Sequence, residues 1–383
     1  MRVKLFTYHF SDNYGALIQA YALRKWFMNR SIDAQFINYH PRYVEEGGDY
    51  DEFFNPRKWK KNLTISYLKA TSLYGSLFGS ATQHKAFDDF RKQYLGVTGS
   101  RLLDADQLVG AIDADMLVCG SDQIWSPSVQ RGLDPVYFLD FPSAAGIRKI
   151  SYAPSFGRAQ LAPAYHVEAR RLISQLDGIS VREDSGVEIV RAVSGREAQC
   201  VPDPTILLGD FHELLGPISP TQDNHIFCYA LRTSEVIREV AEHVAKVNGV
   251  RLLSSRTAHQ RWKAIGTSSE LGPIEWLQQI YSSSMVITDS FHGVALSVIF
   301  NKPFLFVALS GKRDALNERV NNLLTYLDLN NRVVRSSNFD KIDEMLTRSI
   351  DWFEVNKKLA LMRETGSGFL LNQMRLSGWG EAV

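Results

Sequence analysis

Residues 285–307, MVITDSFHGVALSVIFNKPFLFV, contain a complete strand–helix–strand pattern. The apolar runs at the two ends, MVI and PFLFV, are typical of buried strands. Between them, Gly293 permits a sharp bend into a helix over residues 294–300, and the Asn-Lys-Pro turn at 301–303 ends that helix. Two strands joined through a helix run parallel, so this stretch predicts an α/β fold.

The same alternation extends through most of the chain. Further strand-like runs are VKLFTY (3–8), AQFINY (34–39), DMLVCG (115–120), KISYAPS (149–155), GISVRE (178–183), AQCVPDP (198–204), HIFCYAL (225–231) and RLLSS (251–255). Residues 209–224 are rich in Gly, Pro and polar residues and indicate a linker. We therefore predict two Rossmann-like lobes, 1–212 and 222–340, that face one another across a cleft. Residues 341–383 predict a helical segment that packs back across both lobes.

The composition is that of an ordinary globular protein, with 383 residues of which 45% are hydrophobic and 22% charged. Forty-three basic against 42 acidic residues leave a net charge of +1, which gives no support to nucleic-acid binding. The three cysteines lack metal-ligand spacing, so we expect no metal site. We find no signal peptide and no apolar run long enough to span a bilayer, and we expect a cytoplasmic protein.

Residues 57–79, RKWKKNLTISYLKATSLYGSLFG, combine a basic character with aromatic and apolar residues four apart, at Trp59, Leu63 and Tyr67. One interpretation is an interfacial helix that lies on an anionic membrane surface. The other is an insertion that packs on the first lobe and leaves its lysines in water. The sequence leaves both open.

In open α/β sheets, ligands bind beyond the carboxyl ends of the strands, so polar residues at those ends are candidate site residues. In the first lobe these are Asn13, Gly15, Ser121, Asp122, Gln123 and Arg182. The Asn13–Gly15 stretch is either a turn or an anion contact at a helix N-terminus. The Ser-Asp-Gln triplet is either a helix cap or a ligand contact. Arg182 either pairs with a neighbouring carboxylate or binds an anion.

In the second lobe the candidates are Arg232, which follows HIFCYAL, and Asp289, Ser290, His292, Gly293 and Arg319. We expect the backbone N–H groups of residues 293–295 to be unpaired and available to an anion. His292 is the side chain suited to proton transfer near neutral pH. The alternative is a helix capped by Ser290 or Asp289 beside a partly buried His292. Arg319 is a surface ion-pair residue unless its helix borders the cleft.

Several of these stretches together resemble one family, the polysaccharide pyruvyl transferases. The stretches are NYGALIQAYAL, CGSDQIWSP, ISYAPSFG, ISVREDSGVEIV, VPDPTILL, VITDSFHGVALSVIFNKPF and ERVNNLLTYLDLNNR. They occur in this order within about the first 335 residues. The combination is much more specific than any single stretch.

The resemblance implies a glycosyltransferase-B-like fold and phosphoenolpyruvate as the donor substrate, with no cofactor and no metal. The product would be a pyruvate ketal on two hydroxyls of one sugar in a cell-surface polysaccharide. The acceptor would be a lipid-linked or nucleotide-linked sugar on the cytoplasmic side, at the inner face of the membrane. His292 matches the family's essential histidine, and Arg182 matches an arginine implicated in donor binding.

The chain departs from several family members at Ser290, where those members have an arginine. Arg182, Arg319, Lys312 or Arg313 could supply the missing cation, or the substrate differs. Two other functions stay open. One is a glycosyltransferase with a nucleotide-sugar donor, and the other is a non-catalytic carbohydrate or anion-binding protein.

Overall fold

A computed structural model describes residues 1–41, 81–97, 99–110, 112–127, 132–217, 224–232, 234–256 and 265–379, together with residues 43, 59, 63 and 66. The side chain of Lys312 lies outside this description. The chain forms two compact units. The first unit comprises Met1–Phe156, Gln160–Val201 and Phe369–Val383, and the second comprises Gly157–Ala159 and Pro202–Gly368. Helices and strands are numbered within the described residues.

The first unit contains a parallel sheet in the order β2-β1-β3-β4. Its strands are β1 (Arg2–Phe6), β2 (Asp33–Phe36), β3 (Met116–Cys119) and β4 (Arg148–Ser151). A bridge from Ile150 to Gly178 places β4 beside the parallel pair β5 (Ser180–Val181) and β6 (Gln199–Cys200). Because β1 lies between β2 and β3, the strand order reverses between β1 and β3. This reversal is the switch point where such sheets bind ligands.

The first unit's helices are α1 (Tyr14–Met28), α2 (Ala81–Phe90), α3 (His166–Ser174) and α4 (Asp184–Ser194). Shorter turns of helix are Arg91–Leu95, Asp106–Leu108, Pro135–Phe138, Pro142–Ala144 and Pro163–Tyr165. Helix α1 is buried along most of its length, because apolar residues occupy nearly all of its faces. It begins directly after β1, as the alternating pattern predicts.

The second unit contains a six-stranded parallel sheet in the order β12-β11-β10-β7-β8-β9. Its strands are β7 (His225–Tyr229), β8 (Arg251–Ser255), β9 (Thr267–Ser269), β10 (Met285–Thr288), β11 (Phe304–Val307) and β12 (Val333–Val334). In chain order this is the 3-2-1-4-5-6 arrangement of the Rossmann fold. The switch point therefore lies between β7 and β10.

The second unit's helices are α5 (Pro204–Leu208), α6 (His212–Leu215), α7 (Glu235–Asn248), α8 (Pro273–Ser282), α9 (Phe291–Ile299), α10 (Glu318–Tyr326), α11 (Phe339–Thr347) and α12 (Trp352–Arg375). Two short 3₁₀ turns are Gly311–Asn317 and Asn330–Arg332. Helix α12 belongs to the second unit up to Gly368 and to the first unit from Phe369.

The chain passes from the first unit to the second at Pro202, whereas the sequence analysis predicted that the first lobe ends at residue 212. The reason is that α5 and α6 bury apolar side chains within the second unit, where the Phe211 ring packs edge-on against Phe300. The expected linker at 209–224 is therefore partly helical, and residues 218–223 lie outside the described residues.

The strand–helix–strand pattern of residues 285–307 is confirmed, but the predicted start of its helix is wrong. Helix α9 begins at Phe291 because the Ser290 side chain caps it. Gly293 consequently lies inside the helix and makes no bend. Its lack of a side chain serves close packing instead, since an added Cβ would lie 2.4 Å from Thr288 Oγ1.

The segment predicted to contact a membrane, residues 57–79, lies outside the described residues apart from three isolated positions. The interfacial helix therefore stays a prediction. Among the helices that the structure describes, none is long and apolar enough to cross a bilayer. The three cysteines are unbridged, with Cys119 and Cys228 buried.

Candidate functional site

Asp289 joins the ends of the two strands at the switch point of the second unit. It follows β10, and its carboxylate accepts the N–H groups of Leu231 at 2.6 Å and Arg232 at 2.9 Å, both of which follow β7. Burial raises the pKa of Asp289 to about 6, although these two N–H groups and the nearby Arg232 charge oppose the rise. The side chain thus fixes the backbone of Arg232 at the ligand-binding edge of the sheet.

The first turn of α9 carries His292, and the N–H groups that follow this residue are already paired. The Gly293 N–H donates to Ser290 Oγ at 3.5 Å, and the Val294 N–H donates to the Ser290 carbonyl at 3.1 Å. The expectation of unpaired N–H groups at 293–295 is therefore wrong, because Ser290 caps the helix.

The imidazole of His292 is buried, with 6% of the residue exposed. Its Nε2 atom lies 3.6 Å from Oδ2 of Asp203, a carboxylate that is also buried. Oδ1 of Asp203 accepts the N–H of Thr205 at 2.9 Å and its hydroxyl at 2.7 Å. The second unit thus pairs its strand-end histidine with a carboxylate that is held in one orientation.

Asp203 is the site residue that the sequence interpretation missed. The interpretation assigned residues 198–204 to a strand, whereas β6 ends at Cys200 and α5 begins at Pro204. A Pro at the first position of a helix, preceded by Asp, is a recognisable helix start. That signal could have identified Asp203 as a cap, but its proximity to His292 depends on the tertiary structure.

Three arginines lie around this edge of the second unit. Arg319 is half-buried, and its Cζ atom lies 5.9 Å from the centre of the Phe291 ring, which packs edge-on against the His292 ring. Within the described residues, the guanidinium of Arg232 forms no hydrogen bond or ion pair. Burial lowers the pKa of Arg232, Asp289 raises it, and the positive charge of the exposed Arg313 lowers it again. Arg232 and Arg313 are therefore close enough to influence each other, and Arg319 contacts the residue that precedes His292.

In the first unit, the candidates after β1 have structural roles. Asn13 caps α1, because its Oδ1 accepts the Ala16 N–H at 3.1 Å. Gly15 is buried within α1. The Thr7 hydroxyl donates to the Ser121 carbonyl at 2.8 Å, which joins the ends of β1 and β3 at this unit's switch point. Asn13 and Gly15 thus have local structural roles, and an anion contact at this helix N-terminus stays a prediction.

The segment after β3 brings Asp122 next to Arg182. Gly120 has a φ of +125°, and an added Cβ would lie 2.0 Å from the Tyr152 carbonyl oxygen, so only glycine fits there. The Asp122 carboxylate accepts the Gln123 N–H at 2.8 Å and lies 3.7 Å from Nη2 of Arg182.

Arg182 is held by acidic side chains inside the first unit. Its Nε donates to Glu183 Oε1 at 3.1 Å, and its side chain is 3% exposed. Of the alternatives for Arg182, pairing with a neighbouring carboxylate is observed. Arg182 belongs to the first unit and His292 to the second, and their convergence on one ligand stays a prediction. Among the described residues, no group of three or more His, Cys, Asp or Glu side chains could hold a metal ion.

The two Rossmann-like units define a protein with a glycosyltransferase-B-like fold. A Listeria monocytogenes protein assigned as a UDP-N-acetylglucosamine 2-epimerase has a similar structure, with a TM-score of 0.52 and 11% identity over 100% of this chain and 97% of that chain. The S. aureus MnaA–UDP co-structure is also similar, with a TM-score of 0.54 and 8% identity over 98% of this chain and 96% of that chain. At such identities the likeness shows the fold alone.

The family is shown by the sequence itself. The profile of the polysaccharide pyruvyl transferases matches residues 13–311, which is most of the chain. The chain therefore belongs to the polysaccharide pyruvyl transferase family. No curated protein matches it significantly.

Proposed function

We propose that the protein transfers the pyruvyl group of phosphoenolpyruvate to two hydroxyls of one sugar, which forms a pyruvate ketal and releases phosphate. Family membership supports pyruvyl transfer in general. The observation that carries the specific proposal is the position of His292, buried at the switch point of the second unit beside a fixed carboxylate.

The reaction requires proton transfer at two stages. The methylene carbon of phosphoenolpyruvate gains a proton, and its C2 then becomes electrophilic enough for a sugar hydroxyl to attack and lose its own proton. The second hydroxyl then attacks C2, the bond from C2 to the phosphate oxygen breaks, and the second hydroxyl proton leaves with phosphate. A single imidazole can give the first proton and recover one from the first hydroxyl.

The donor carries a phosphate and a carboxylate, so its site needs cations. Arg232 stands at the switch point, its backbone is fixed by Asp289, and Arg313 adds positive charge nearby. Ser290 stands where several family members have an arginine and carries no positive charge. We therefore assign the phosphate contact to Arg232. Arg319 lies over the Phe291 ring and is a candidate for the donor carboxylate.

Arg182 is proposed as the donor-contacting residue of the first unit. Asp122 and Glu183 hold its guanidinium in one orientation, as required of a residue that recognises a carboxylate or phosphate.

The acceptor is proposed to be a lipid-linked or nucleotide-linked sugar of a cell-surface polysaccharide. The reaction would then take place on the cytoplasmic side, with residues 57–79 as the segment that contacts the inner face of the membrane. No cofactor is needed, because the chemistry consists of proton transfer and charge stabilisation.

Incubation of the protein with phosphoenolpyruvate and a panel of lipid-linked and nucleotide-linked sugars tests the proposal. Phosphate release with an equal amount of pyruvylated sugar, seen by mass spectrometry, is expected. His292→Gln should lose activity. The matched control is His243→Gln, because His243 also forms a histidine–aspartate pair in this unit, with its Nε2 2.7 Å from Asp343.

The competing proposal is that the donor is a nucleotide sugar, and the same experiment tests it with UDP-sugars. If UDP-sugars are consumed and phosphoenolpyruvate is not, the protein is a glycosyltransferase and the present proposal fails. If phosphoenolpyruvate alone is consumed, the fold likeness to UDP-binding proteins carries no functional meaning for this chain.

A further inference from the structure

We infer that Asp203 is a positioning residue that selects which nitrogen of His292 transfers the proton. The carboxylate holds the Nε2 proton, and Nδ1 is the atom that exchanges a proton with the substrate. This inference rests on the proposed function for its catalytic meaning, but the arrangement of the pair can be tested separately.

The first step concerns Nε2. This atom is buried and has no hydrogen-bond partner among the described residues, and Asp203 Oδ2 lies 3.6 Å away. That distance is longer than a hydrogen bond, but catalytic hydrogen bonds are often long before the substrate binds. The side chain of His292 is 8% exposed, and because Nε2 is buried, that exposure belongs to its other atoms.

The second step concerns the orientation of the carboxylate. Two donors from Thr205 hold Oδ1 of Asp203, and Pro204 fixes the backbone at the start of α5. Because Oδ1 accepts both Thr205 donors, Oδ2 is the oxygen that lies towards His292. The carboxylate therefore cannot turn away without breaking the cap of α5.

The third step concerns charge. Asp203, from the start of α5, has its Oδ2 atom 3.6 Å from Nε2, Asp289 follows β10, and Arg319 from α10 lies over the adjacent Phe291 ring. A carboxylate beside Nε2 favours the tautomer with a proton on that atom, so Nδ1 is the nitrogen left to exchange a proton with the substrate. The imidazolium can then give its Nδ1 proton to the methylene carbon of phosphoenolpyruvate. Nδ1 recovers a proton from the first sugar hydroxyl as the bond from that oxygen to C2 forms.

The variant Asp203→Asn tests this arrangement with little change in shape. Its amide oxygen can still accept from Thr205, but an NH₂ group replaces Oδ2 and donates towards Nε2. We expect kcat to fall by about 100-fold while KM for phosphoenolpyruvate changes by less than about threefold, because a proton-transfer group contributes at that level.

A readout that does not depend on turnover is the tautomer of His292. Long-range ¹H–¹⁵N spectra of the full chain report it, and the signals of His292 are assigned by their loss in His292→Gln. The wild type should carry the proton on Nε2, and Asp203→Asn should carry it on Nδ1. If the wild type carries it on Nδ1, the inference is overturned, whether or not any variant folds.

The matched control is Asp210→Asn. Asp210 is an exposed aspartate of the same unit whose Oδ1 accepts the His212 N–H at 2.9 Å at the start of α6. This variant should leave kcat and the tautomer unchanged. Asp203→Asn with wild-type kcat would also overturn the inference. A wild type that ignores phosphoenolpyruvate but shows the Nε2 tautomer refutes the proposed function and supports the pairing.

Discussion

Replacement of Asp289 by Asn should change how stability depends on pH. In the folded protein, burial raises the pKa of this carboxyl from 3.8 to about 6. The folded state therefore holds the proton more tightly than the unfolded chain does. The stabilising effect of that proton is complete below about pH 4 and is lost as the pH rises through about 6.

The size of the effect follows from the pKa shift. A shift from 3.8 to about 6 corresponds to about 3 kcal/mol of unfolding free energy. The amide introduced by Asp289→Asn does not titrate and resembles the protonated carboxyl in shape. The lost acceptor costs the same at every pH, so the test is the change in the difference between the two proteins. The variant should gain about 3 kcal/mol relative to the wild type between pH 4 and pH 7.

Urea unfolding of both proteins at intervals between pH 4 and 7.5 measures this difference, and titrations elsewhere in the chain cancel between them. A difference between Asp289→Asn and wild type that changes by less than about 1 kcal/mol across the range would refute the reasoning. We expect the more stable variant to bind phosphoenolpyruvate more weakly, because an amide offers one acceptor to the N–H groups of Leu231 and Arg232.

Four further substitutions have expected outcomes. Arg232→Ala should raise KM for phosphoenolpyruvate at least about tenfold, because a charge-assisted contact to the donor is lost. Arg313→Ala, at the exposed neighbour of Arg232, should raise KM less. Steady-state kinetics of the two variants measure this difference. Gly293→Ala should lower the unfolding free energy by about 1–3 kcal/mol, because the new methyl group overlaps Thr288, and a thermal melt at wild-type stability would contradict this. Ser290→Ala should cost about 1 kcal/mol through loss of the helix cap, as measured by urea unfolding.

Much of the fold could be predicted from the sequence, because hydrophobic alternation and turn residues indicate most strands and helices locally. The strands that escaped prediction carry little such signal. Strand β9, Thr267–Ser269, is short and polar at the edge of the sheet, and β12 has two residues. The start of α9 was misplaced because a cap by Ser290 and a bend at Gly293 are both plausible from sequence, and the side-chain hydrogen bond decided between them.

From the sequence, residues of the candidate site could be predicted only where they come directly after a strand. His292 and Asp289 were found by the strand-end rule, and both lie at the switch point. The partners of the key side chains come from distant parts of the chain, as Asp203 does for His292 and Asp122 does for Arg182. Such pairings depend on how strands are ordered in the sheet, which hydrophobic periodicity does not encode.

The most direct test is to follow phosphoenolpyruvate labelled at C2 by ¹³C NMR in the presence of a sugar acceptor that the protein pyruvylates. The account predicts that the enol carbon signal disappears and a quaternary ketal carbon appears in equal amount with the wild type and with His243→Gln, and that neither change occurs with His292→Gln. A ketal signal that grows at the wild-type rate in the absence of the His292 imidazole would contradict the account.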